Sequence, residues 1–300
     1  MNNHRKIVDK ILTVFWVVAL ALVLFKIHEY ASPVWDHISN INILFVVIGL
    51  ISGLIASFPS VWIFRNYFNG FNKHNSWSIA FFLAFLPALG KYIPGKIWVA
   101  GSFVLHASNL ANVTVGDSMV FQIYYQVVGI TATTLLVVIG YYFGFEIILS
   151  IEFLLVFILV LAACLGLSIL LSRYMKQYKI KLRTDRFLHH VMALLAQKIL
   201  KGICLVIFIS AFMDINAYAV NILFAFFIAM QIGVLAFFAP AGLGITEGVY
   251  MIILSPVVGP EIAITVTLLS RVWNVLLDTI LAMMALFVKN RRLRIQPDVL

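Results

Sequence analysis

Carboxylates are scarce in this sequence. Twelve Asp and Glu stand among 300 residues, against 21 Lys and Arg, and charged residues of both signs make up only 11% of the chain. Polar stretches are scarce too: the longest, residues 172–190, is loop-sized, so no water-soluble domain fits beside the apolar runs. The two cysteines, Cys164 and Cys204, both fall inside apolar runs, which excludes a disulfide framework and leaves them as small buried hydrophobes. His106 and the pair His189–His190 have no thiol or carboxylate at ligand spacing, so neither a metal nor any other cofactor is expected. The stretch GLGITEG contains G-x-G but lacks the G-x-G-x-x-G spacing, which excludes a dinucleotide fingerprint. The formal net charge of +9 comes with no basic globular region, so nucleic acid is not an expected partner.

What is present is apolar surface. The chain is 63% hydrophobic with mean hydropathy +1.05, more than a soluble fold can hide. The expected fold is all-α: a single polytopic membrane domain over residues 1–300. Apolar runs long enough to cross a bilayer occupy 11–27, 41–64, 119–143, 147–171, 191–213 and 262–288. The run at 11–27 has no small-residue cleavage site behind it and reads as an uncleaved first helix. Two further segments, 78–106 and 217–258, are apolar but broken near the middle by Pro and Gly.

Positive charge orients these segments. Fifteen of the 21 Lys and Arg cluster before 11, after 64, in 173–186 and after 288, which places both termini on the cytoplasmic side. Each broken segment must then return to the side from which it enters. They are predicted to be re-entrant hairpins of opposite orientation, turning at 90–95 and 240–248. Residues 41–143 and 191–288 then read as two halves of an inverted repeat, an arrangement whose broken helices mark transport sites.

Charge inside these segments is the functional signal, because each charge in lipid costs roughly 2.5–3.5 kcal/mol on insertion scales. Lys91 and Lys96 flank Pro94 and Gly95 at the first break, and two ammonium groups beside a new helix N-terminus suit a phosphate. At the second break Gly242 and Gly244 permit a tight reversal, and Glu247 needs a partner. Arg271 is the expected partner, with Asn274 and Asp278 following on the same face of the last crossing. Lys198 and Lys201 either extend a basic wall or, the favoured reading, snorkel to lipid head groups. Gln122 and Gln126 are expected to bond neighbouring helices in preference to lining a path. The loop 173–186 is expected to lie on anionic lipid. Trp16, Trp62, Trp77, Trp98 and Tyr141–Tyr142 read as interfacial anchors.

GKYIPGKIW (90–98), APAGLGITEG (239–248) and LLSRVWNVLLD (268–278) together resemble the transmembrane region of lysylphosphatidylglycerol synthases, the flippase-like domain family, across most of the chain. The most specific element is P-x-G-L-G-x-x-E-G, met by Pro240, Gly242, Leu243, Gly244, Glu247 and Gly248, with Arg271 matching the arginine of the following helix. Many relatives follow the first Pro-Gly turn with an acidic residue and an arginine, where this chain has Lys96-Ile97-Trp98. The resemblance implies a stand-alone member that translocates an anionic phospholipid or a polyprenyl-phosphate-linked glycolipid across a bacterial or archaeal cytoplasmic membrane during envelope biosynthesis. A glycosyltransferase or lipid synthase is the implied protein partner. Two rivals stay open: a membrane-embedded head-group transferase using Glu247 or His106, and a scaffold acting through the basic loop.

Overall fold

The computed structural model describes residues 41–69, 77–92, 97–111, 113–142, 151–177, 186–236 and 239–295. These form ten α-helices and two 3₁₀ turns, with no strand among the described residues. In chain order they are α1 (Ile43–Ile55), α2 (Phe58–Phe68), α3 (Trp77–Phe85), a 3₁₀ turn (Pro87–Tyr92), α4 (Ile97–Ala111), α5 (Val115–Tyr142), α6 (Ile151–Gln177), α7 (Phe187–Ile209), α8 (Ala219–Leu235), a second 3₁₀ turn (Pro240–Gly242), α9 (Ile245–Val258) and α10 (Pro260–Ile295).

Five stretches are long and apolar enough to cross a membrane: Ile43–Phe68, Val115–Tyr142, Phe187–Ile209, Pro240–Val258 and Pro260–Val288. Their outer faces carry large exposed hydrophobics, including Ile43, Leu44, Ile55, Leu188, Ile252 and Phe287. A soluble protein does not expose an apolar belt of this extent, so the architecture is that of a helical membrane protein. The expected crossing at 11–27 lies outside the described residues. The polar stretch 172–190 is less of a loop than its composition suggests, since α6 runs on to Gln177 and α7 begins at Phe187.

Local sequence explains the helix ends. Asn42 caps α1 by accepting from the amides of Leu44 and Phe45 at 3.1 and 3.4 Å, while its own amide donates to the Ala211 carbonyl at 2.9 Å. The start of α1 is thereby tied to the residues just past α7. Pro59 sits in the first turn of α2, where its missing N–H has no helical partner to lose. Buried hydroxyls satisfy themselves on their own helices: Thr131 and Thr133 donate to the carbonyls of Val127 and Gly129 at 2.8 and 2.9 Å.

Helices approach closely where the facing residue is glycine. A Cβ on Gly49 would stand 2.8 Å from the Cβ of Phe208, which seats α1 against α7. Above it, fully buried Trp273 of α10 donates its indole N–H to the Gly49 carbonyl at 3.3 Å. Gly140 of α5 receives the Phe224 ring of α8. A second core, around Phe64, Tyr67, Phe103 and Phe121, joins α2, α4 and α5 through edge-on and stacked rings.

Both broken segments appear as helix–break–helix units. α3 continues through Leu86 into the first 3₁₀ turn, and α4 starts at Ile97; α8 ends at Leu235, and α9 starts at Ile245. The two arms of each unit pack on one another, and each first arm also packs on a long helix of the other half: α3 on α10, and α8 on α5. The two 3₁₀ turns touch.

Candidate functional site

The second break is built from unusual backbone. Gly242 and Gly244 have φ of +72° and +80°, and Ala241 between the prolyl turn and Gly242 has φ of +47°. Glycine takes this left-handed region freely, whereas alanine is strained there by roughly 1–2 kcal/mol. Ala241 is held by Arg271, whose Nη1 donates to its carbonyl at 3.1 Å. The same Nη1 lies 3.5 Å from Oε1 of Glu247, so the pair expected from sequence is in contact. Glu247 is not at the tip of the break, however. It occupies the first turn of α9, where the helix N-terminus favours a carboxylate. Its Oε2 accepts from the Thr246 hydroxyl at 2.9 Å.

Arg271 is only partly satisfied. Its side chain is 15% exposed, yet Nε and Nη2 are buried without a hydrogen-bond partner. Asn274, one turn on, donates to the Ser270 carbonyl at 2.8 Å.

Asp278 turns to the first break. Its Oδ2 receives both Nζ of Lys91 and the Tyr92 hydroxyl, each at 2.5 Å. The first 3₁₀ turn is thus pinned to α10 by an ion pair and a phenol. Sequence reasoning placed Lys91 at the site but not this partnership, nor the role of Tyr92. The one hint was a tyrosine beside a lysine at a break in an apolar segment. Pro94, Gly95 and Lys96 lie outside the described residues.

The α7 lysines correct an expectation. Lys198 is 9% exposed, and Lys201 is half-buried within electrostatic reach of Asp278 and Lys91. Both point into the protein and do not snorkel to head groups. α7 has its lipid side elsewhere, on Leu188, Met192, Leu200 and Ile203, and this rotation turns the lysines inward. Beside them Gln197 accepts from Ser60 at 2.9 Å, and Ser60 also meets the Tyr125 hydroxyl at 2.9 Å.

Between the two breaks lies a cavity of about 720 Å³. This is within the roughly 300–1,000 Å³ usual for ligand pockets. Lys91, Tyr92, Glu247, Arg271 and Asn274 are in its lining, and its walls are otherwise mostly apolar. Gln122 and Gln126 line it too, which overturns the expectation that they bond neighbouring helices. Gly242 and Gly244 shape the backbone behind this surface and are not part of it. Lys198, Lys201 and Asp278 stand outside its lining, with Asp278 reaching it through Lys91 and Tyr92.

The anchors divide. Trp77 and Trp98 are exposed, as an interfacial role requires, and Trp77 carries the Arg65 guanidinium 4.3 Å from its ring centroid. Trp62 packs edge-on against His190, so it serves the interior. His190 meets the Tyr124 hydroxyl at 2.7 Å through Nδ1, and His106 packs against Phe82.

Fold and cavity together define the class: a helical membrane protein with a chamber where its two broken segments meet. Comparison with protein-family models, curated proteins and solved structures found no match.

Proposed function

We propose that this chain translocates a lipid with an anionic head group across the bacterial or archaeal cytoplasmic membrane, with both termini inside. The observation that carries the proposal is the chamber itself. It lies where two non-helical breaks meet, and its lining combines Lys91, Arg271 and two glutamines with mostly apolar walls. Irregular backbone at membrane depth is tolerated only where it is buried in protein or lines a wet cavity, because lipid cannot satisfy its polar groups. A head group resting on the cations with its tail in lipid uses both kinds of surface.

The packing supports an inverted repeat of 41–143 and 191–288 with re-entrant hairpins. Exchanging the halves maps α3 on α10 to α8 on α5, maps the contact between the breaks onto itself, and maps α1 on α7 onto itself. In this reading the hairpins rock against the opposite half and expose the chamber to alternate sides. Glu247–Arg271 and Lys91–Asp278 are the pairs that break and re-form, and Glu247 is the group that can carry a proton. Glycan and lipid assembly in the envelope supplies the cargo class, an anionic phospholipid or a polyprenyl-phosphate-linked lipid, and a glycosyltransferase or lipid synthase is the partner that would hand it over.

The test is reconstitution. Purified protein in liposomes is expected to move a labelled anionic phospholipid between leaflets, and Lys91→Met with Arg271→Met to abolish the movement. Absence of movement under any imposed proton or sodium gradient refutes the proposal. Chemical conversion of the lipid would return the transferase reading.

A further inference from the structure

We infer that Gln122 and Gln126 form a subsite for a neutral, hydroxyl-bearing part of the ligand, of the sugar or polyol class. The inference rests on the lipid-translocase reading above and names the head group of its cargo: a phosphate that carries a polyol, not a bare phosphate. It starts from which polar groups of the chamber are already committed. Lys91 is paired with Asp278, and Glu247 with Arg271. The unpartnered Nε and Nη2 of Arg271 are buried. Tyr92 donates to Asp278, and the Tyr125 hydroxyl meets Ser60. Asn274 donates to the Ser270 carbonyl, while Thr267 and Ser270 donate to carbonyls of their own helix.

The two glutamines differ from all of these. Both are in the lining, and neither has a hydrogen-bond partner among the described residues. Gln122 is half-buried and Gln126 is exposed. Four residues apart on α5, they are neighbours on one helix face, with Cβ atoms about 5–6 Å apart. At 1.5 Å of rise per residue they stand roughly 10 and 16 Å in from Val115, where α5 begins. Two open carboxamides that far along a membrane-crossing helix require partners that acyl chains do not supply.

The chemistry of a carboxamide selects the partner. Each one offers an acceptor oxygen beside a donor nitrogen. A phosphate only accepts, so it would leave both amide oxygens facing anionic oxygens. An ammonium only donates, so it would leave both NH₂ groups unmet. A hydroxyl does both, and two hydroxyls on adjacent carbons match the oxygen and the nitrogen of one amide together. Ile123 and Ile130 of the same helix are also in the lining, and they suit the C–H groups of a sugar or cyclitol ring. Between ligands, water fills the amides, and ligand hydroxyls then take over the same bonds.

The experiment compares two lipids of equal charge. Phosphatidylinositol and phosphatidylethanol with the same acyl chains are both phosphodiesters, and only the first carries head-group hydroxyls. Full-length protein in zwitterionic micelles is titrated with each and read by native mass spectrometry. Phosphatidylinositol is expected to bind at least tenfold more tightly, since a neutral hydrogen bond contributes roughly two- to tenfold and two amides offer several. Gln126→Leu should weaken it about threefold. Gln122→Leu with Gln126→Leu should weaken it about tenfold and leave phosphatidylethanol within twofold, which also reports that the variant is folded. Equal binding of the two lipids by the wild type, or a preference that survives the double change, overturns the inference and leaves the translocase standing. A wild-type dimer that the double change abolishes also overturns it, because the amides would then join two copies of the chain. Binding of neither lipid above phosphatidylcholine overturns both readings. Displacement of phosphatidylinositol by free inositol at equal concentration supports the polyol subsite and overturns the lipid as its carrier.

Discussion

Neutralising Asp278 should damage this protein more than neutralising the lysine it binds. Lys91 and Asp278 are 36% and 21% exposed, between the surface pairs that contribute under about 1 kcal/mol and the buried pairs whose disruption costs roughly 3–5 kcal/mol. A loss of about 1–3 kcal/mol is the reasonable expectation for breaking the pair. The two single changes are not equivalent, because Lys201 lies within reach of the same carboxylate. Lys91→Met leaves Asp278 with Lys201 and with the Tyr92 hydroxyl. Asp278→Asn strands both lysines and removes the anchor of the first break. Unit charges about 8 Å apart at an effective dielectric near 20 interact by ~2 kcal/mol, which sets the size of the asymmetry. The assay is thermal unfolding of the purified protein in detergent, where 1 kcal/mol moves the midpoint by about 2–4 °C for a chain near this size. Asp278→Asn should lower the midpoint by about 5–8 °C and Lys91→Met by less than half of that, with the double variant recovering part of the loss. Equal single effects, or strict additivity of the two, would refute the argument.

Two backbone predictions accompany it. Gly140→Ala sets a methyl 2.1 Å from the Phe224 ring and should destabilise by about 1–3 kcal/mol, whereas Gly101→Ala meets nothing within 4 Å and should gain up to about 1 kcal/mol; midpoints measured side by side decide this. Ala241→Gly relieves a left-handed alanine and should stabilise by roughly 1 kcal/mol, provided the Arg271 bond to its carbonyl survives; a fall in the midpoint would show that the strain is not real.

Much of the fold was legible because lipid imposes a simple rule: a helix that crosses must be long and apolar. Residues 119–143 and 191–213 were expected as crossings, and helices stand at Val115–Tyr142 and Phe187–Ile209. Both breaks announced themselves through proline and glycine. The Glu247–Arg271 pair was legible because each residue lacked any other partner in an apolar stretch. Helix rotation was harder. Lys198 and Lys201 sit a few turns inside the helix Phe187–Ile209, close enough to the basic loop to suggest snorkelling, although Leu188, Met192, Leu200 and Ile203 mark the opposite face as the lipid side. Lys91 and Asp278 are far apart in sequence, and nothing local ties a lysine before Tyr92 to an aspartate deep in α10. Gln122 and Gln126 failed for the same reason, since a polar stripe on α5 looks alike whether it meets a helix or a void.

The packing of each broken segment on the opposite half also governs how the chain is made. α3 is complete at Phe85, but the helix it rests on begins at Pro260, about 175 residues later. At roughly 5–20 residues per second, the ribosome takes about 10–35 s to supply it. For that interval Lys91 has no Asp278, and the first break is a charged defect with no chamber around it. The half-made protein must shelter this defect at the insertion machinery or at the bilayer edge, so the ion pair that later fixes the break also records that synthesis has reached the last helix.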